Sequence, residues 1–163
     1  MNIREIEKQI IEIDGSCRNI NFYVPQKNYL INLLKFLMDQ YRFLSVAKSD
    51  GNKISIDNED CKLDELVSFY NEHINLLLEN KNQVIKNPQF FISRGESEDY
   101  YVEITFFPND INRDKFTFII FVEWLSQILK RGNSKEFYVR YENSSWKYGD
   151  SSDDSGVIYS HLK

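Results

Sequence analysis

The stretch from residue 89 to residue 107 constrains the fold more than any other part of the sequence. Residues 89–93 and 100–107 are rich in aromatic and β-branched side chains that alternate with polar ones. The turn-forming sequence at residues 94–98 separates them, and Pro108 closes the second segment. Two alternating segments joined by a short turn form an antiparallel hairpin. The chain is therefore predicted to contain an antiparallel sheet.

The same signals predict three further hairpins. An Asp-Gly pair supplies the tight reversal in two of them, because it accepts the positive φ angles that such a turn needs. The first predicted hairpin joins a strand that starts near Gln9 to residues 19–24, the second joins residues 43–46 to 53–56, and the last joins residues 136–142 to 156–160.

Three amphipathic helices separate these hairpins, since apolar side chains recur there at steps of three and four residues. They are predicted from Pro25 to about Tyr41, from a cap at Asp60 to about Lys81, and from a cap at Asp110 or Asn112 to a stop at Gly132. Hairpins that alternate with helices predict an α+β fold, a mainly antiparallel sheet with about three helices packed on it. The length of 163 residues predicts a single globular domain over residues 1–163.

The charge balance narrows the classes of partner. The chain has 25 acidic and 20 basic side chains, a formal net charge of −5 and a pI of about 5.1. Such a charge does not attract a phosphate backbone or an anionic bilayer, so we expect a basic protein partner and no nucleic acid. No signal peptide is recognisable, and no apolar run reaches the roughly 20 residues of a membrane-spanning helix. We expect a cytoplasmic protein that does not contact a membrane.

The sequence contains no recognisable catalytic, metal or cofactor motif. Cys17 and Cys61 have no second thiol or histidine at ligand spacing, and the acidic stretch 150–156 lacks the spacing of a calcium loop. No glycine-rich loop opens a helix after a strand. We therefore predict no enzymatic activity, no catalytic residues, no metal and no cofactor. A hydrolase acting on RNA through His73 and His161 is a third-ranked hypothesis.

Residues 141–160 combine aromatic rings with carboxylates and small polar side chains. Tyrosine and tryptophan are frequent interface anchors, and carboxylates beside them attract and orient a basic partner. We predict Trp146 and Tyr148 as anchors, with Glu103, Glu142, Asp150, Asp153 and Asp154 as electrostatic partners. In the alternative interpretation, Tyr141, Trp146, Tyr148 and Tyr159 form the inner face and edge of the sheet.

Residues 115–160 also carry a family resemblance. The segment KFTFIIFVEWLSQILKRG followed by FYVRYENSSWKYGDSSDDSGVIYS resembles the C-terminal half of immunity proteins that accompany bacterial polymorphic and contact-dependent growth-inhibition toxins. The resemblance implies a single cytoplasmic domain without enzymatic activity that binds one cognate toxin domain and occludes its active site. Many such toxins are nucleases with basic clefts, which an acidic, aromatic surface suits.

An interaction domain of another kind is the alternative function. Three amphipathic helices on one sheet are expected to leave aromatic side chains exposed, which would suit an adaptor or a self-associating domain. When free, the chain is expected to be a monomer or a weak homodimer.

Overall fold

The fold is a seven-stranded sheet with helices packed against it. The computed structural model describes residues 2–55, 60–68, 72–94, 98–142 and 156–161, with the backbone alone at residues 60 and 61. In chain order the elements are α1 (Ile3–Ile11), β1 (Arg18–Val24), α2 (Lys27–Gln40), β2 (Arg42–Lys48), α3 (Asp60–Leu66), β3 (His73–Glu79), β4 (Gln89–Arg94), β5 (Tyr100–Phe106), α4 (Phe118–Gly132), β6 (Phe137–Tyr141) and β7 (Val157–His161), with a 3₁₀ turn at Pro108–Asp110.

The strands lie in the order β2-β3-β4-β5-β1-β6-β7, and each neighbouring pair is antiparallel. The N-terminal strand β1 is thus inserted between two strands from the second half of the chain. Ile20 lies opposite Ile104 on one side and Val139 on the other. This arrangement confirms the predicted α+β class with a mainly antiparallel sheet.

The described helices all lie on one face of the sheet. The backbone of Gly132 in α4 approaches Phe22 and Val24 of β1 as well as Leu33 of α2. On the same face, the hydroxyl of Tyr100 donates to the carbonyl of Val67, just after α3. The α1 helix lies over the same face as well, because Arg18 of β1 donates to its C-terminal end. This face carries the main core, whose fully buried residues include Ile104, Phe121, Leu125 and Ile128.

Two predicted hairpins and two predicted helices are confirmed. Strands β4 and β5 pair with each other, and β6 pairs with β7. The α2 and α4 helices occupy the predicted regions, although α4 begins after an N-cap at Thr117 rather than at Asp110 or Asn112. Asp110 instead ends the 3₁₀ turn, and its carboxylate accepts from the backbone N–H of Phe107.

The predicted N-terminal strand near Gln9 is wrong, because residues 3–11 form the helix α1. The Asn2 side chain caps this helix by accepting from the N–H of Arg4, and Ile6 and Ile10 are buried one turn apart. The spacing of the isoleucines in this segment fits both the helical period and the strand period. The N-cap and the burial of one helical face therefore favour the helix. Strand β1 therefore pairs with distant strands instead of a local one.

The predicted helix from Asp60 to Lys81 is wrong in its second half. The helix α3 ends at Leu66, and β3 covers His73–Glu79. Ile74, Leu76 and Leu78 are buried, whereas the residues between them are half-buried, which is the alternation of a strand. Strand β3 also replaces residues 53–56 as the main partner of β2. In the second predicted hairpin, Lys53 forms one isolated bridge to Ala47, and Ile56 lies outside the described residues.

Arg18 joins α1 to the sheet. Its side chain is fully buried and donates to the carbonyls of Gln9 at 2.8 Å and Glu12 at 2.9 Å. It also forms an ion pair with Asp14 at 3.2 Å and donates to Ser16 Oγ at 2.7 Å. A buried guanidinium is tolerated when its donors are satisfied in this way. The last turn of α1 and the loop after it are therefore held against β1.

We predict that Asp14→Asn makes stability less dependent on pH. Hydrogen bonds from the side chain and backbone of Ser16, followed by those from Arg18, hold the pKa of Asp14 well below its usual range. A depressed pKa stabilises the fold above the unfolded pKa of about 4, and this contribution is lost as the pH falls below it. Urea unfolding of wild type and variant should give free energies of unfolding whose difference narrows below about pH 4. A difference independent of pH would contradict this.

Candidate partner-binding surface

The acidic, aromatic segment connects the two strands at one end of the sheet. Strand β6 ends at Tyr141, whose N–H donates to the carbonyl of Gly156 at 2.8 Å just before β7 begins. The ends of the connection are therefore held side by side. Five of the seven predicted binding residues belong to this connection and lie outside the described residues, namely Trp146, Tyr148, Asp150, Asp153 and Asp154. Their role stays a prediction.

Glu103 lies on the sheet face opposite the helices. Its carboxylate accepts from Arg140 Nη2 at 3.1 Å and from Asn21 Nδ2 at 2.8 Å. The side chain of Arg140 is 7% exposed and that of Glu103 is 24% exposed. The charge of Glu103 is thus largely balanced within the chain. It can orient Arg140 and Asn21, in addition to the predicted role of attracting a basic partner.

Asn21 and Tyr101 complete this cluster across three strands. Fully buried Asn21 accepts from Arg140 Nε at 2.7 Å and contacts the hydroxyl of Tyr101 at 2.6 Å through Nδ2. Burial, followed by the charge of Glu103, raises the pKa of Tyr101 to about 12, so its hydroxyl remains neutral at physiological pH. We call Asn21, Tyr101, Glu103 and Arg140 the cross-strand network. It fixes β6 to β1 and β5.

Glu142 is exposed and follows directly after β6. Its Oε2 accepts a hydrogen bond from Cys17 Sγ at 3.3 Å. Burial, then this hydrogen bond and the charge of Glu142, raise the pKa of Cys17 to about 11. The thiol is therefore protonated and acts as a weak donor, not as a nucleophile. Glu103 also contributes to this rise, so the two described members of the predicted site act on the same buried position.

The two described tyrosines of residues 141–160 belong to the packed part of the sheet. The guanidinium of Arg18 lies 4.3 Å from the ring centroid of Tyr141. Half-buried Tyr159 packs against Phe118 and Phe137, with centroid separations of 5.0 and 5.6 Å. These rings support the alternative interpretation for Tyr141 and Tyr159. Trp146 and Tyr148 are not tested by this observation.

Sequence reasoning missed Asn21, Tyr101 and Arg140, as well as the exposed ring of Tyr23, which packs 5.3 Å from Tyr101. Polar side chains alternating with Ile20 and Phe22 did mark one face of β1 as polar. The pairing of that face with residues 101–105 and 138–140 depends on long-range strand order, which a single sequence does not display.

The two histidines do not converge. His73 begins β3, and His161 ends β7, where its ring stacks on Phe137 at a centroid separation of 6.2 Å. Five strand steps separate β3 from β7, which corresponds to roughly 24 Å at about 4.8 Å per step. The predicted helix at His73 is wrong, because this residue begins a strand. A paired-histidine site for RNA hydrolysis is not formed by this arrangement.

The described residues contain no cluster of three or more histidine, cysteine, aspartate or glutamate side chains that could hold a metal ion. In the same part of the chain, no helix is long and apolar enough to cross a membrane.

Comparison with known proteins shows what the fold resembles. No protein-family profile matches the chain, and no curated protein matches it. Among solved structures, the fold is similar to a chain in the 1.75 Å crystal structure of the toxic C-terminal tip of CdiA from Pseudomonas aeruginosa in complex with immune protein. The TM-score is 0.62 at 15% identity, over 89% of this chain and 94% of that chain. A T6SS protein of Pseudomonas aeruginosa matches with a TM-score of 0.41 at 9% identity, over 80% of this chain and 42% of that chain.

The first of these similarities spans nearly the whole length of both chains. It therefore concerns the complete arrangement of sheet and helices, not a shared hairpin. At this identity it establishes a common fold. That fold occurs in a toxin and immune-protein complex, which agrees with the resemblance seen in residues 115–160.

We predict that Arg140→Met destabilises the protein by about 3–5 kcal/mol, because it leaves the carboxylate of Glu103 and the amide of Asn21 without their buried partner. Urea unfolding measures this change. Arg42→Met is the matched control, since Arg42 pairs with Glu79 at the opposite end of the sheet with 72% of its side chain exposed. The control should lose about 0–1 kcal/mol. Equal losses in both variants would show that the cross-strand network is not a structural anchor.

Proposed function

We propose that this chain is an immunity protein that binds a cognate toxin domain and neutralises it by covering its active site. The observation that carries the proposal is the fold shared over 89% of this chain with a chain from a complex of a toxic tip and its immune protein. The resemblance of residues 115–160 to immunity proteins supports it independently. The first similarity is one of fold and the second is one of sequence pattern.

The charge of the chain favours the immunity role over the toxin role within such a complex. A net charge of −5 suits the inhibition of a nuclease, whose cleft must be basic to hold a phosphate backbone. The same charge would repel nucleic acid from this chain. The separation of His73 and His161 also argues against a paired-histidine nuclease. We therefore propose a nuclease as the class of toxin.

The connection between β6 and β7 is the proposed contact region, with Trp146 and Tyr148 as anchors. Asp150, Asp153 and Asp154 would supply negative charge to a basic cleft, and exposed Glu142 would extend it. Rigid anchors bind more tightly than mobile ones because less conformational entropy is lost. The cross-strand network provides such rigidity at the base of the connection, since it ties Arg140 to β1 and β5.

We predict that the double substitution Trp146→Ala and Asp150→Ala abolishes protection. A buried tryptophan anchor contributes about 2 kcal/mol or more to binding, which is at least roughly thirtyfold in affinity. The measurement is growth of cells that express the toxin domain together with wild type or variant. Circular dichroism must show that the variant is folded.

The matched control carries Leu44→Ala and Asp39→Ala, which remove one exposed apolar side chain and one exposed aspartate. Leu44 lies on β2, at the opposite edge of the sheet from β7. It should protect as well as wild type. Undiminished protection by the folded Trp146 and Asp150 variant would remove the connection from the binding surface. Loss of protection in both variants would show that the effect is not local.

Self-association is a second candidate function, favoured by exposed isoleucines on α4. Ile119 is 68% exposed and Ile120 is 41% exposed, and neighbouring exposed apolar side chains are typical of contact surfaces. Light scattering of the purified chain separates the two candidates. A stable oligomer that Ile119→Glu converts to monomer would favour self-association. A monomer at all concentrations favours the immunity role.

A further inference from the structure

A groove runs between α4 and the hairpin of β6 and β7, with a volume of about 520 Å³. Its floor is apolar and is formed by Val122, Leu129, Phe137 and Tyr159. Its rim is polar. The described rim residues are Ser126, Lys130, Asn133, Ser134, Lys135 and His161.

Among the described residues, the rim contains basic side chains and no carboxylate, although the chain as a whole is acidic. Lys130 and Lys135 lie at the end of α4 and just beyond it, and both are exposed. In the described part of the chain, neither forms an ion pair with a carboxylate. The groove therefore offers positive charge that the described structure does not neutralise.

The walls of the groove are held in place by packing and by a defined helix end. Asn133 adopts a left-handed conformation with φ of 51°, and Ser134 N donates back to the carbonyl of Leu129 at 2.9 Å. This C-terminal cap fixes the direction in which Lys135 leaves the helix. On the other wall, Phe137 stacks on His161 and contacts Tyr159. Such a preformed groove loses little entropy when it binds a ligand.

We propose that this groove binds an acidic segment of the toxin domain, with an apolar or aromatic side chain on the floor and carboxylates at Lys130 and Lys135. The inference rests on the proposed function for the identity of the partner, and on charge complementarity for the chemistry of the segment. The toxin would then make two contacts. Its basic cleft would bind the acidic connection between β6 and β7, and its acidic segment would bind the basic groove. Opposite charges in fixed positions set orientation and exclude wrong partners.

A protein segment fits the groove better than a nucleic acid does. Binding of a phosphate backbone requires a broad basic surface, and a net charge of −5 opposes it. Among the described residues, the groove has two lysines and one histidine above a floor of apolar side chains. Carboxylates spaced around one hydrophobic side chain match both features. A partner of this chemistry is therefore the stated occupant.

The first test uses a short peptide, so it does not depend on the toxin. Titration of the ¹⁵N-labelled chain with Glu-Phe-Glu-Phe-Glu should shift the amide resonances of Lys130, Ser134, Lys135 and His161. The peptide Gln-Phe-Gln-Phe-Gln should shift them much less. Absence of shifts with the acidic peptide would overturn the proposal. Equal shifts with acetate at the same concentration would overturn it as well, because they would indicate a site for small anions.

The second test uses the toxin domain and the double variant Lys130→Glu and Lys135→Glu. Calorimetric titration should show binding weakened by about tenfold or more, with the loss reduced at high salt. The control is Lys8→Glu with Lys81→Glu, which changes the net charge equally at exposed positions outside the groove. If wild type and groove variant bind the toxin equally, the groove proposal fails and the proposed function stands. If wild type does not bind the toxin, the proposed function fails, and the peptide titration alone decides whether the groove binds acidic segments.

Discussion

The fold depends on the insertion of β1 between β5 and β6. Without this strand, the described sheet would separate into a four-stranded part and the hairpin of β6 and β7. Nearly every residue of β1 is buried, including Arg18, Asn19 and Asn21. The even-numbered residues face the helices, and Phe22 and Val24 among them approach α4. The odd-numbered residues lie on the opposite face, where Asn21 belongs to the cross-strand network. One short strand thus packs against the main core with one face. Its other face makes the polar contacts that position β6.

The parts of this fold that could be predicted from sequence are those whose contacts are local. The hairpin of β4 and β5 and the helix α4 are confirmed because a turn signal or a continuous apolar stripe lies within the segment itself. The helix predicted over Ile74 to Leu78 is wrong, because the leucines and the isoleucine of this segment fit a helical face almost as well as a strand. Pairing with β2 and β4 favours the strand. That pairing is a tertiary contact, which the local sequence pattern does not show.

In the candidate site too, local features could be predicted from the sequence and long-range contacts could not. The charged and aromatic composition of residues 141–160 is visible in the sequence, as is the acidity of Glu103 and Glu142. The ion pair between Glu103 and Arg140 is not visible, because 37 residues separate them in the chain. The groove beside α4 was also missed, since its basic side chains come from α4, from the loop that follows it and from the end of β7. Both proposed contact regions nevertheless involve the hairpin of β6 and β7, which is where the sequence resemblance is located.

The central claim is that this chain binds and neutralises a toxin domain. The most direct test is a titration of the purified chain into a fixed amount of the toxin domain encoded beside it, with binding followed by calorimetry and toxin activity measured at each point. The account predicts a dissociation constant of about nanomolar or below and loss of toxin activity in proportion to the bound fraction. Full toxin activity in the presence of excess folded chain would contradict it.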